Sequence, residues 1–76
     1  MRAAPGECCL IGEVGLAGEV RPVSGLTQRL REAARLGFTR AIVSSREKKT
    51  PAPEGVELVR ALSVAEALAK AGVLPA

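Results

Sequence analysis

A serine, a glycine and a threonine open the amphipathic stretch RPVSGLTQRLREAARLGF, Arg21 to Phe38. Polar side chains at a strand-to-helix junction can carry nucleophilic catalysis, which needs a nucleophile and a base within hydrogen-bond reach. The chain has no histidine, so the commonest base is missing. It has no GxSxG turn either. A Ser–Lys dyad would have to draw on Lys48, Lys49 or Lys70. The first two fall in a stretch of mobile-loop composition, and Lys70 falls at the far end of the last predicted helix. Ser24 is the best-placed serine, and a helix-cap role accounts for it at little cost.

Other chemistries fare no better. GEVGLAG holds three glycines, but no GK[ST] follows and no helix begins there, so a phosphate loop is excluded. Glu13 and Glu19 would face each other across a solvated hairpin edge, a poor setting for paired acid–base carboxylates. Cys8 and Cys9 are adjacent. On a strand they point to opposite faces, and a disulfide between them would be strained. Without CxxC or histidine the chain cannot build a zinc site alone, so the metal expectation is none. Both cysteines read as reduced thiols, at least one of them a small core residue.

The remaining constellation is basic. Arg31 and Arg35 map to the outer face of the first predicted helix, with Arg29 at its flank. Arg46, Lys48 and Lys49 extend from the next loop. Two readings stand. The face is simply solvated, since Glu32 is interleaved three residues from both Arg29 and Arg35, or it contacts phosphates. Eleven basic against eight acidic residues give +3 and a pI near 9.4. That balance permits contact with DNA without demonstrating it. Phe38 is the only aromatic. This argues against an autonomous single-strand binder, which needs stacking platforms.

The elements that position these residues follow from pattern. Cys8 to Val14 and Glu19 to Val23 suit strands, and Gly15-Leu16-Ala17-Gly18 suits a tight reversal, so together they predict a β-hairpin. Gly12 and Gly18 suggest a bulge or a close backbone approach, and Pro22 an edge. Leu26, Leu30, Ala33 and Ala34 form one helical stripe, predicting a helix over about Leu26 to Leu36. Ser24 or Gly25 would cap its start, and Gly37 with Phe38 would end it. Arg40 to Ser44 reads as a buried strand, Ser45 to Gly55 as a loop, and Val56 to Ala61 as a further strand. Ser63 to Glu66 is a capping box. A second helix then runs to Ala71, with Val64, Leu68 and Ala71 apolar and Glu66 paired to Lys70. Gly72 and Pro75 stop it.

The expected fold class is α/β, of the α+β kind: a β-hairpin followed by β-α-β-α on a small mixed sheet. Residues 1–76 are expected to form one domain, with residues 1–6 a flexible lead-in. A chain of 76 residues buries only about 60% of its unfolded surface. Its 47% hydrophobic content is mostly Ala, Val and Leu, so it would gain from burying a face against another chain. No apolar run approaches the ~20 residues of a membrane span, and the start is too short for a signal sequence. A cytoplasmic protein without membrane contact is expected.

GEVGLAGEVRPVSGLTQRLREAARLGFTRAIV, followed by APEGVELVRALSVAEAL, resembles the C-terminal end of the RadA (Sms) family of bacterial DNA repair and recombination proteins. More distantly it is similar to the proteolytic domain of Lon proteases. The resemblance implies the second half of a Lon-like domain, the fold of ribosomal protein S5 domain 2. The family carries a zinc segment and a RecA-like ATPase core ahead of it. ATP, Mg and Zn are therefore expected only in those N-terminal parts, and no cofactor in this chain. The implied role is a non-catalytic scaffold, oligomerisation and DNA-contact unit of a branch-migration ATPase.

The implied partners are DNA, the rest of a RadA chain and neighbouring subunits, with self-association. Lon enzymes place a catalytic lysine two residues past a Gly-Gly pair. Here that segment is Ser24-Gly25-Leu26-Thr27, so Thr27 occupies the lysine position. The Lon serine would precede residue 1. No catalytic residue is expected, and Arg29, Arg31, Arg35, Arg46, Lys48 and Lys49 are the DNA-binding candidates. Two alternatives stand beside this reading: a stand-alone interaction module and a remnant of a Lon-type Ser–Lys peptidase.

Overall fold

A computed structural model describes residues 8–72. The expected lead-in over residues 1–6 and the stop at Pro75 lie outside the described residues. Seven elements follow in order: strand β1 (Cys8–Ile11), β2 (Glu13–Val14), β3 (Val20–Arg21), helix α1 (Leu26–Arg35), β4 (Arg40–Ser44), β5 (Glu57–Ala61) and helix α2 (Val64–Lys70). β1, β4 and β5 form a three-stranded sheet in that order, parallel throughout. Cys9 is level with Ala41, and Ala41 with Leu58. β2 and β3 form a separate antiparallel pair, Glu13 opposite Arg21.

This corrects the expected hairpin and the expected mixed sheet. The first predicted strand divides at Gly12, and only two residues on each side belong to the hairpin. Cys8–Ile11 leaves the ribbon and pairs with β4 instead. Burial explains the choice. Beside β4 the run CCLI can offer one face to each helix layer, whereas a hairpin partner alone would leave it open to water. Gly12 makes the break where its backbone meets β3: a Cβ there would stand 2.6 Å from Val20 Cγ1. Val20 is 1% exposed and cannot retreat.

The sheet divides the core in two. On one face Leu26 and Leu30 of α1 pack with Ala41, Val43 and Val56, joined by Cys9 and Ile11. On the other face Ala67 of α2 packs with Ile42 and Ala61, joined by Cys8. The two cysteines do point to opposite faces, and both are free thiols. The expected apolar side of α2 is corrected in part. Ala67 is its buried residue, while Leu68 is 37% exposed.

Helix ends are set largely by local chemistry. α1 ends in a Schellman turn: Gly37 adopts φ 96, its N–H donates to the Ala34 carbonyl, and that of Phe38 to Ala33. The start of α1 is capped by Gly25 at φ 71, with no side-chain cap, so Ser24 does not cap it. At α2 the Glu66 N–H donates to Ser63 Oγ at 3.1 Å. The Glu66 carboxylate reaches back one residue further than expected, accepting from the Leu62 N–H at 2.7 Å. Arg40 Nη2 donates to the Lys70 carbonyl at 2.7 Å, closing the far end of α2.

The β2–β3 ribbon is anchored from a distance in sequence. The Val20 N–H donates to the Leu62 carbonyl and the Val64 N–H to that of Gly18, a clamp that joins residues 18–20 to residues 62–64.

Candidate functional site

Thr27 lies in the first turn of α1 and is exposed. It shares a shallow groove with Leu26, Gln28, Arg46, Glu47 and Lys48. No serine lines this groove, so Thr27 has neither the ammonium nor the hydroxyl partner of a Ser–Lys dyad. Ser24 borders a different depression, beside β1.

The loop after β4 brings basic side chains to this corner because its first turn is tied down. Ser44 is fully buried. Its hydroxyl donates to the Val20 carbonyl at 2.9 Å and accepts from the Arg46 N–H at 3.1 Å. Glu47 Oε2 accepts from the Val23 N–H at 2.8 Å, and the Glu47 carbonyl accepts from Arg60 Nη1 at 3.0 Å. The stretch predicted as mobile is therefore pinned over its first residues, and Arg46 and Lys48 border the start of α1. That helix start has no side-chain cap and no acidic residue in its first turn. Its free amides add partial positive charge to the corner.

The six basic candidates separate into unlike environments. Arg46 and Lys48 line the groove with Thr27, and Lys49 follows them, exposed. Arg31 is exposed on α1. These four form no ion pair among the described residues. Arg35 is engaged by Glu32 through two hydrogen bonds, Nη2 to Oε2 and Nε to Oε1 at 3.3 Å. Glu32 thereby raises the pKa of Arg35 above its usual value. Arg29 lies on the other flank, over the depression beside β1, where its Nε donates to the Ser24 carbonyl at 3.4 Å. Sequence spacing groups Arg29, Arg31 and Arg35 because it reads one helix. The structure does not unite them.

Cys9 is a poor nucleophile. Burial, reinforced by the neighbouring Cys8, pushes its thiol pKa up, and its Sγ lies 3.8 Å from the Arg40 carbonyl. Ser44 is the residue that sequence reasoning passed over. Its polar type in the apolar run RAIVS was the available signal. Among the described residues no group of three His, Cys, Asp or Glu side chains could hold a metal ion, and no helix is long and apolar enough to cross a membrane.

No family model matches the chain. Curated proteins do. It is 51% identical over 61 residues to the DNA repair protein RadA of Bacillus subtilis (strain 168), which covers 79% of this chain and 13% of that protein. Against the DNA repair protein RadA of Escherichia coli (strain K12) it is 43% identical over 67 residues, 88% of this chain and 15% of that one. Against the DNA repair protein RadA of Mycobacterium tuberculosis (strain ATCC 25618 / H37Rv) the identity is 47% over 64 residues, 84% and 13%. The chain thus spans only 13–15% of the length of these curated relatives.

Proposed function

We propose, for a chain that is RadA-related over most of its length, that it serves as a non-catalytic structural and DNA-contacting part of a RadA-like DNA repair and recombination protein in the cytoplasm. The observation that carries this reading is the 51% identity to a DNA repair protein across most of the chain. The finer assignment is the second half of a Lon-like domain with the fold of ribosomal protein S5 domain 2. The order of elements, a short hairpin, α1, β4, β5 and α2, supports it. In that assignment the zinc segment and the ATPase core, with its ATP and Mg, belong to other parts of a RadA-like chain, and this part works beside them and beside neighbouring subunits.

The absence of peptidase activity is part of the proposal. An exposed threonine in a groove without a serine cannot pass a proton between an ammonium and a nucleophile. DNA contact is assigned to Arg31, Arg46, Lys48 and Lys49, exposed cations that form no ion pair among the described residues. Arg35 is withdrawn from it because Glu32 engages it, and Arg29 because it lies on the other flank of α1, over the depression beside β1. Without aromatic platforms such contact reads phosphates and is independent of sequence.

Salt-dependent binding to duplex or branched DNA tests the assignment. The triple variant R46E/K48E/K49E is expected to lose at least about tenfold in affinity, and to flatten the plot of log affinity against log salt by roughly one unit per lost phosphate contact. Arg35→Glu is expected to change much less, because Arg35 is already neutralised by Glu32. Equal losses in the two variants would mean a diffuse charge effect and no interface. A stand-alone interaction module would show no binding at low salt.

A further inference from the structure

Glu47 is out of keeping with its neighbours. It stands inside the cationic run Arg46-Glu47-Lys48-Lys49. On charge alone it weakens any contact of that run with phosphates. It neutralises none of these cations, since Glu47 forms no ion pair among the described residues. Exposure alternates along the turn: Arg46 and Lys48 are exposed, while Ser45 and Glu47 are half-buried. The Glu47 carboxylate is spent on a backbone amide instead. It accepts from the Val23 N–H at 2.8 Å, across 24 positions of sequence.

Val23 belongs to the segment that leads from β3 into α1, so this bond ties the turn after β4 to the start of the helix. The rest of the turn is held to the sheet. The Ser45 N–H donates to the Ala61 carbonyl at 2.8 Å, and the Glu47 N–H to the Ser44 carbonyl at 3.1 Å. The Ser44 hydroxyl accepts from the Arg46 N–H, and Arg60 donates to the Glu47 carbonyl. Every one of these partners lies in β3, β4, β5 or the segment before α1. Past Glu47 the hold weakens: the Lys48 carbonyl accepts from Thr50 Oγ1 at 3.0 Å, a contact within the loop itself.

We infer that Glu47 is a positioning residue for phosphate contact. Its bond to the Val23 amide holds Arg46 and Lys48 beside the start of α1, in the groove that they share with Thr27. They then meet a phosphate backbone as a preformed pair. The magnitudes decide the sign of its effect. An exposed charge screened by salt changes affinity by at most about fivefold. A backbone residue that must be ordered during binding lowers affinity by about fivefold or more, and a loop fixed beforehand avoids that loss. Releasing two or three residues of the turn therefore outweighs the repulsion that the carboxylate exerts.

This role deepens the DNA half of the proposed function and rests on it. Fluorescence anisotropy of a labelled duplex oligonucleotide, titrated with the full chain at low salt, tests it through the sign of the change. Glu47→Ala removes a negative charge from the cationic run, and on charge alone it binds tighter. It is expected to bind at least about threefold weaker. Glu47→Gln removes the same charge but keeps an acceptor for the Val23 amide, and is expected to recover the parent affinity or exceed it. Glu54→Ala removes an exposed carboxylate further along the same loop and is expected not to weaken binding. Amide exchange gives a readout without DNA. The Val23 N–H is expected to be protected in the parent and in Glu47→Gln, and to exchange faster in Glu47→Ala. Should Glu47→Ala fail to fold, Ser44→Ala carries the same expectation of weaker binding, because it frees the Arg46 amide at unchanged charge.

Tighter or unchanged binding by Glu47→Ala overturns the role. So does Glu47→Gln binding as weakly as Glu47→Ala, or a Val23 amide that exchanges freely in the parent. The triple variant R46E/K48E/K49E keeps the two readings apart. If it loses DNA while Glu47→Ala does not, the positioning role alone falls. If the parent chain ignores DNA at low salt, the DNA half of the proposed function falls and this role falls with it.

Discussion

Gly12 shows how much one missing side chain decides. It stands where the strand divides, against Val20, which is buried on β3. A methyl group there would lie 2.6 Å from Val20 Cγ1 and 3.3 Å from the Arg21 carbonyl. Gly12→Ala is therefore expected to destabilise by about 1–3 kcal/mol, the usual cost of overpacking. Denaturant unfolding read by circular dichroism measures it. Residues of this kind were half legible in the sequence. Two glycines in or beside strands announced a bulge or close approach, and Gly12 is where the backbones meet. Ser44 was legible only as a polar residue in the apolar run RAIVS, not in its role. Its hydroxyl answers the carbonyl of Val20, 24 positions away, and no local pattern reports a partner at that distance.

At the scale of elements, both helices and the central strand could be read directly, because periodicity and caps are local properties. The Schellman turn at Gly37 and the Ser63 cap fall where the sequence puts them. The partner of Cys8–Ile11 could not be read. An apolar run of four residues suits a hairpin arm and a parallel strand equally, and burial against helices not yet placed makes the choice. The hairpin that remains is short, and a carboxylate holds its tip. Glu19 accepts from the Ala17 N–H at 3.1 Å and from Arg21 Nη2 at 2.8 Å. The hydrogen bond from Arg21 is the main reason that its pKa lies below the ordinary carboxylate range. A carboxylate depressed by folding stabilises above its unfolded pKa, and that contribution is lost as pH falls through the folded one. The tip is expected to loosen in acid below the ordinary carboxylate range while both helices persist. The protection factor of the Ala17 amide, followed by NMR against pH, checks this. Glu19→Gln should remove the pH dependence.

For the molecule as a whole, charge in the sequence pointed to a basic surface, and the structure distributes that charge differently from the spacing along one helix. Glu32 engages Arg35, and the pinned loop carries Arg46 and Lys48 to the helix start, placements that depend on contacts between elements and not on helix periodicity. The core is thin, and it is shared. Leu30, fully buried, belongs to one face of the sheet and Ile42, 2% exposed, to the other. Leu30→Ala and Ile42→Ala are each expected to cost about 2–5 kcal/mol, a large part of the stability of a domain this size. Both variants should still melt in one transition by fluorescence-free probes such as circular dichroism and amide exchange, because β4 serves both faces. The clamp between residues 18–20 and residues 62–64 has a consequence in time. The hairpin is made before α1, β4 and β5, yet its anchoring carbonyl and amide, on Leu62 and Val64, follow all three. Every strand pairing of the sheet likewise waits for a crossover to close. A growing chain thus carries α1 and an undocked ribbon until residues 62–64 are made, and docking proceeds at the slow pace of non-local contacts.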